Sequence, residues 1–235
     1  MKQIAIAFLL ILTAFTTLAQ GDYAVLASTD TLYGKVTLLM PENTTERITL
    51  TTEEQEYTFA ANQLLEVKKD DDYYKGVRFG DKYRLMKRLT KGYLTLFEYR
   101  YDDSFHFGAQ YLLKANGDGM EVPNIAFRSN MSKFLETECP GFAQKVANKA
   151  YKRSEVVQLV KDFNNSCTDR QPTPLDPAKS NDSLYDLATL LVDIQKRQAS
   201  GEKIPAYMIQ ALESYADQDV NKALKGLIDN LKTSR

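Results

Sequence analysis

The sequence predicts an α+β fold: an antiparallel β-rich N-terminal domain, barrel- or sandwich-like, then a disulfide-stapled helical segment and a helical C-terminal module. Three observations carry this prediction. Apolar and aromatic residues alternate with a period of two as far as Pro123. Beyond it they recur at three- and four-residue spacing. The two cysteines, Cys139 and Cys167, both fall in the second regime. The expected divisions are a signal peptide at 1–19, a β domain at 20–123, a helical segment at 124–167, a Pro-rich linker at 168–180 and the helical module at 181–235.

The chain opens with Lys2, an apolar run from Ile4 to Phe15, and small residues ending at Thr17-Leu18-Ala19. That order is the pattern of a secretory signal peptide. The run is about a dozen residues where a membrane-spanning helix needs roughly twenty, so no permanent span is expected once it is cut. Cleavage after Ala19 makes Gln20 the new N-terminus. It removes 19 of 235 residues and leaves 216, with 29 basic against 31 acidic side chains and a net charge of −2. A charge so near zero excludes the electrostatic footprint of a nucleic-acid binder. The hydrophobic content of 43% with 26% charged residues excludes a disordered chain.

The strands follow in order. Tyr23–Leu26 and Thr31–Leu39 flank a Thr29-Asp30 turn and read as a hairpin, which Pro41-Glu42-Asn43 ends. Further strands are expected at 47–52, 56–59, 63–68, 76–79 and 82–88. The strongest pair spans 92–101 and 105–114. Its aromatics all carry odd numbers: Tyr93, Phe97, Tyr99 and Tyr101 on one arm, Phe105, Phe107 and Tyr111 on the other. One shared face requires an odd loop, Asp102-Asp103-Ser104, with Tyr101 opposite Phe105. Such a face reads first as sheet core and second as a surface for a glycan or protein partner. Asn116-Gly117 then marks a tight turn.

After Pro123, Met131, Phe134 and Leu135 suit a helix starting near Ser129. Cys139-Pro140-Gly141 interrupts, and Phe142, Val146 and Ala150 suit a second helix. Ser154 is the expected N-cap of a third, which carries Val156, Leu159, Val160 and Phe163. Three prolines between 168 and 180 mark the linker. Leu184, Leu187, Leu190, Leu191 and Ile194 form the next stripe, stopped by Ser200-Gly201. Pro205 then opens a helix with Met208, Leu212 and Tyr215, and Val220, Leu224, Leu227, Ile228 and Leu231 form the last stripe. These helices either dock as a bundle or offer a groove, and an oligomer through them is a further expectation.

Two cysteines in an exported chain most simply form one disulfide, worth about 3.5 kcal/mol in the chain-entropy model; half a metal site is the alternative, with no histidine near. His106 is expected on the hairpin face away from the aromatics, opposite Arg100 and diagonal to Glu98, as a solvated cross-strand group. Asp70-Asp71-Asp72 lacks the alternate spacing of a calcium loop and reads as a turn. The sequence therefore assigns no catalytic residue, no cofactor and no metal site. A hydrolase built on carboxylates leaves no local signature and stands as the alternative.

Asp30-Thr31-Leu32-Tyr33-Gly34-Lys35-Val36 behind a signal peptide, with Cys139-Pro140 and Phe163-Asn164-Asn165-Ser166-Cys167 further on, resembles uncharacterised exported proteins of the bacterial phylum Bacteroidota. The resemblance spans about residues 20–167. Its members often carry Gly where Thr29 stands here. It implies an envelope or secreted protein, supports the Cys139–Cys167 bridge, and carries no activity. It also implies O-glycosylation where Asp precedes Ser or Thr and an apolar residue follows, at Ser183 ahead of the less accessible Thr31. The expectation is a non-catalytic exported protein, periplasmic, outer-membrane-associated or secreted. It binds an envelope protein or glycan, or supports an envelope complex.

Overall fold

The computed structural model describes residues 21–40, 45–101, 104, 106–167, 187–218 and 222–233; the expected signal peptide, the expected linker, Phe105 and Ser183 lie outside them. Strands β1 (Tyr23–Leu26), β2 (Thr31–Tyr33), β6 (Leu64–Lys69), β7 (Asp72–Phe79), β8 (Lys82–Thr90), β9 (Leu94–Arg100), β10 (Phe107–Lys114) and β11 (Gly119–Glu121) form one eight-stranded sheet. Its order is β11-β10-β9-β8-β7-β6-β1-β2. Strands β3 (Lys35–Leu39), β4 (Arg47–Thr51) and β5 (Glu56–Ala60) form a second sheet. Every pairing is antiparallel.

The strand expected over 31–39 is two strands, one in each sheet. Gly34 is the crossing point, and it is glycine for a steric reason: a Cβ there would lie 2.5 Å from the Thr51 carbonyl oxygen. Asp22 fastens the crossing. One of its carboxylate oxygens accepts the Val36 N–H at 3.1 Å and the other the Asp70 N–H at 2.7 Å. The β1–β2 turn holds Thr29 at φ 73°, the left-handed region that a β-branched residue rarely enters. Thr29→Gly is therefore expected to stabilise the fold by about 1 kcal/mol, read as a rise in the urea midpoint.

Helices α1 (Phe127–Glu136), α2 (Pro140–Ala147) and α3 (Val156–Ser166) follow the β region. They cover Leu94, Leu96 and Leu112, the even-numbered face of β9 and β10, and bury Met131, Phe142, Leu159 and Phe163 against it. Ser154 is not the cap of α3. It is exposed inside a short 3₁₀ turn, Arg153–Glu155, and Glu155 instead reaches back to accept the Lys152 N–H at 2.7 Å. Asn164 of α3 locks the helix to the sheet by pairing with both main-chain groups of Leu94, at 2.9 and 2.8 Å. Gly92 leaves room for that amide, which would overlap a Cβ. The disulfide joins Cys139, at the start of α2, to Cys167, at the end of α3, with the Cα atoms 6.2 Å apart.

Helices α4 (Leu187–Ala199), α5 (Ala206–Gln218) and α6 (Lys222–Thr233) turn their stripes inward. Leu190, Ile194, Met208, Leu212, Leu224 and Ile228 share a core with Ile48 and Leu50 of the small sheet and Leu64, Val67 and Leu85 of the large one. The C-terminal apolar faces thus serve as core. At the contact, the Tyr207 ring meets Tyr83 edge-on with centroids 6.2 Å apart, and Arg78 lies 4.9 Å over it.

The β8 edge shows how this core is sealed. Strand β9 pairs with β8 only from Lys87 onward. The earlier N–H groups are taken by side chains: Gln210 of α5 accepts from Tyr83 at 3.1 Å, and Glu46 accepts from Leu85. Burial raises the Glu46 carboxyl above the ordinary carboxylate range, against the opposing pull of Leu85, Arg84 and Arg100.

Candidate functional site

The aromatic residues of the hairpin do not share one face. Tyr111 lies opposite Phe97 and Ala109 opposite Tyr99, which keeps the expected parity but shifts the register by two residues. A bulge between Phe107 and Ala109 then reverses the parity, so Phe107 lies opposite Arg100. Phe97, Tyr99 and Tyr111 are buried together with Val77, Met86 and Leu113 on the odd face. Tyr111 lies across Gly119, where a Cβ would be 2.0 Å from its hydroxyl. Burial, reinforced by the Glu121 carboxylate, pushes the Tyr99 hydroxyl well above the usual tyrosine range.

The remaining rings go elsewhere. Phe107 crosses to the core shared by the small sheet and helices α4–α6, against Tyr74, at 6.1 Å. Tyr93 precedes β9 and meets Phe163 of α3 at 6.4 Å. Tyr101 is exposed beside Tyr99, its hydroxyl 3.4 Å from Glu121. A flat stacking platform is therefore not formed by the described members of this set.

His106 also departs from its expected place. The bulge puts Phe107 opposite Arg100 and Gln110 opposite Glu98, while His106 stands exposed before the strand with its N–H on the Ser104 hydroxyl at 3.1 Å. Arg100 is buried and its carbonyl accepts from Arg84 at 2.8 Å, so no solvated His–Arg–Glu face exists. The Asp70-Asp71-Asp72 segment is the β6–β7 turn, with Asp72 on Lys87 at 2.7 Å. Asn116-Gly117 forms the β10–β11 turn, Gly117 at φ 91° and the Asn116 amide oxygen accepting the Asp118 N–H. Thr31 is exposed on β2, the terminal strand of the large sheet.

A different place has the form of a site. Between the entry to α1 and the loop before α3 lies a cleft of about 360 Å³, lined by Ala126, Phe127, Arg128, Ser129, Lys152 and Arg153. Three of the six side chains are cationic and none is acidic. Two of the cations are held in place by neutral acceptors. Arg128 donates through Nε to the Tyr151 carbonyl at 3.2 Å, and Arg153 donates to Asn124 at 2.7 Å and Gln110 at 3.2 Å. Lys152 is exposed.

The rim is shaped by two unusual residues. Ala126 takes φ 53°, a left-handed conformation that carries a cost for a residue with a Cβ. It turns Ile125 outward, 84% exposed, with its carbonyl anchored by the Asn130 amide at 3.3 Å. An exposed branched side chain beside a cationic hollow is amphipathic in the manner of a ligand mouth. Ser129 is the sole side-chain hydroxyl in the lining, and neither histidine nor carboxylate stands there to activate it. The arrangement suits holding an anion.

Sequence reasoning passed over these residues. Lys149, Lys152 and Arg153 put three cations in five positions, and that local excess was the available signal. The meeting of Lys152 and Arg153 with Arg128, some two dozen positions earlier, comes only from the fold. No known protein-family model, curated protein or solved structure matches the chain.

Proposed function

We propose that this is an exported, non-catalytic protein of the cell envelope, periplasmic, outer-membrane-associated or secreted, that binds an acidic group of a protein or glycan partner. The observation that carries the reading is the cleft between α1 and α3, where Arg128, Lys152 and Arg153 converge without a counter-charge in the lining. The signal-peptide pattern supports export. So does the bridged cysteine pair, since disulfides persist in oxidising compartments. No helix among the described residues is long and apolar enough to cross a membrane.

The test begins with protein recovered from the envelope fraction, whose mass should place Gln20 at the N-terminus; a chain beginning at Met1 would reject cleavage. Calorimetric titration with an oligogalacturonide and an oligoglutamate then separates an acidic glycan from an acidic protein segment. Lys152→Glu is expected to weaken the productive interaction about tenfold, while stability stays within about 0.5 kcal/mol, because the side chain is exposed. Equal binding by the variant, or binding of neither probe by the native protein, would sink the reading.

A further inference from the structure

Asn62 occupies the 3₁₀ turn Ala61–Gln63, which carries the chain from β5 of the small sheet to β6 of the large one. It is 1% exposed, and both its amide nitrogen and its amide oxygen are buried without a hydrogen-bond partner among the described residues. The groups around it are satisfied. The Ala60 N–H donates to the Gln63 side-chain oxygen at 2.9 Å, the Ala61 N–H to the Glu46 carbonyl at 2.8 Å, and the Ala27 N–H to the Gln63 carbonyl at 2.9 Å.

The turn leaves its neighbours little room. It is seated so closely on β7 that a Cβ at Gly76 would fall 1.6 Å from the Ala61 carbonyl oxygen. Two orphaned polar atoms on one fully buried side chain are rare in native proteins, where such atoms are paired with protein or with ordered water.

We infer that the Asn62 amide is the anchor of an internal hydration site at the joint between the two sheets. The chemistry of the amide selects the occupant. It offers two donors and one acceptor without charge, and water both accepts and donates. A hard cation needs several oxygen ligands, and one neutral amide oxygen does not supply them. An anion in so enclosed a place needs a cation facing it, whereas the amide offers only weak dipoles. Buried waters in proteins make about three hydrogen bonds each, and a main-chain carbonyl already in one hydrogen bond keeps a second lone pair that can accept from such a water. The site is separate from the basic cleft and does not rest on the binding function.

The test uses the full mature chain, isotopically labelled, with the Asn62 side-chain amide assigned by its disappearance in Asn62→Leu. A nuclear Overhauser effect between that amide and water, of the sign given by long-lived contacts, is expected. Its absence from the assigned resonance would overturn the inference. The thermal midpoint of Asn62→Leu gives a second reading. A dry orphan amide would be relieved by leucine and the midpoint would rise, which also overturns the inference. A held water loses its anchor and the midpoint falls, as expected here. If the leucine variant does not fold, an Asn62→Ala spectrum supplies the assignment and the water contact in the native protein decides.

Discussion

Glu138→Ala should destabilise the protein by about 3–5 kcal/mol, the largest loss expected from a single side chain outside the apolar core. The Glu138 carboxylate lies 2.8 Å from the Lys114 ammonium, and the two side chains are 8% and 5% exposed. Lys114 ends β10 and Glu138 stands in the loop between α1 and α2, so the pair joins the sheet to the helical layer. The ammonium also lies 4.2 Å over the Phe134 ring of α1. That contact adds a smaller term, up to about 2 kcal/mol where desolvated.

Removing the carboxylate leaves a buried ammonium with the Phe134 ring face beside it, and the penalty of that orphaned charge dominates the loss. With a urea slope near 2.5 kcal/mol per M, the midpoint should fall by about 1.5 M. The double variant Lys114→Met, Glu138→Leu should regain most of that loss, because a packed apolar pair carries no desolvation penalty. If Glu138→Ala unfolds at the native midpoint, the pair is solvated and not a structural clasp.

How much of this architecture was legible follows from how local each signal is. The alternation along β9 and β10 fixed the parity of their pairing, since period two is a property of each strand alone. The two-residue shift and the bulge at Phe107 were hidden, because they depend on where β9 leaves β8 and on Phe107 reaching Tyr74. The split at Gly34 was equally invisible. Residues 31–39 alternate as one strand would, and only the Thr51 main chain shows why a glycine must be there. Helix stripes such as Leu190 and Ile194 announced a buried face without saying against what. The cleft is the extreme case, since Arg128 and Lys152 meet only after α1 to α3 have folded back.

Replacing both cysteines by alanine should cost about 3.5 kcal/mol, close to the loss from Glu138→Ala but by a different route. The bridge spans a sequence separation of 28, and its main effect is to restrict the unfolded chain. Reduction of the native protein should therefore lower the urea midpoint to that of the alanine variant. A native midpoint in both would show that the bridge constrains little. The two perturbations meet at one corner, because Glu138 directly precedes Cys139. While the bridge is closed, it fixes the loop that presents Glu138 to Lys114. Once it is open, the ion pair is left to hold that loop by itself. Losses from Glu138→Ala and from the open bridge should for this reason not add, and a double-mutant cycle should return a coupling between about 0.5 and 3 kcal/mol. Strict additivity would mean that Lys114, Phe134 and the α1–α2 loop hold the corner in place without help from the bridge.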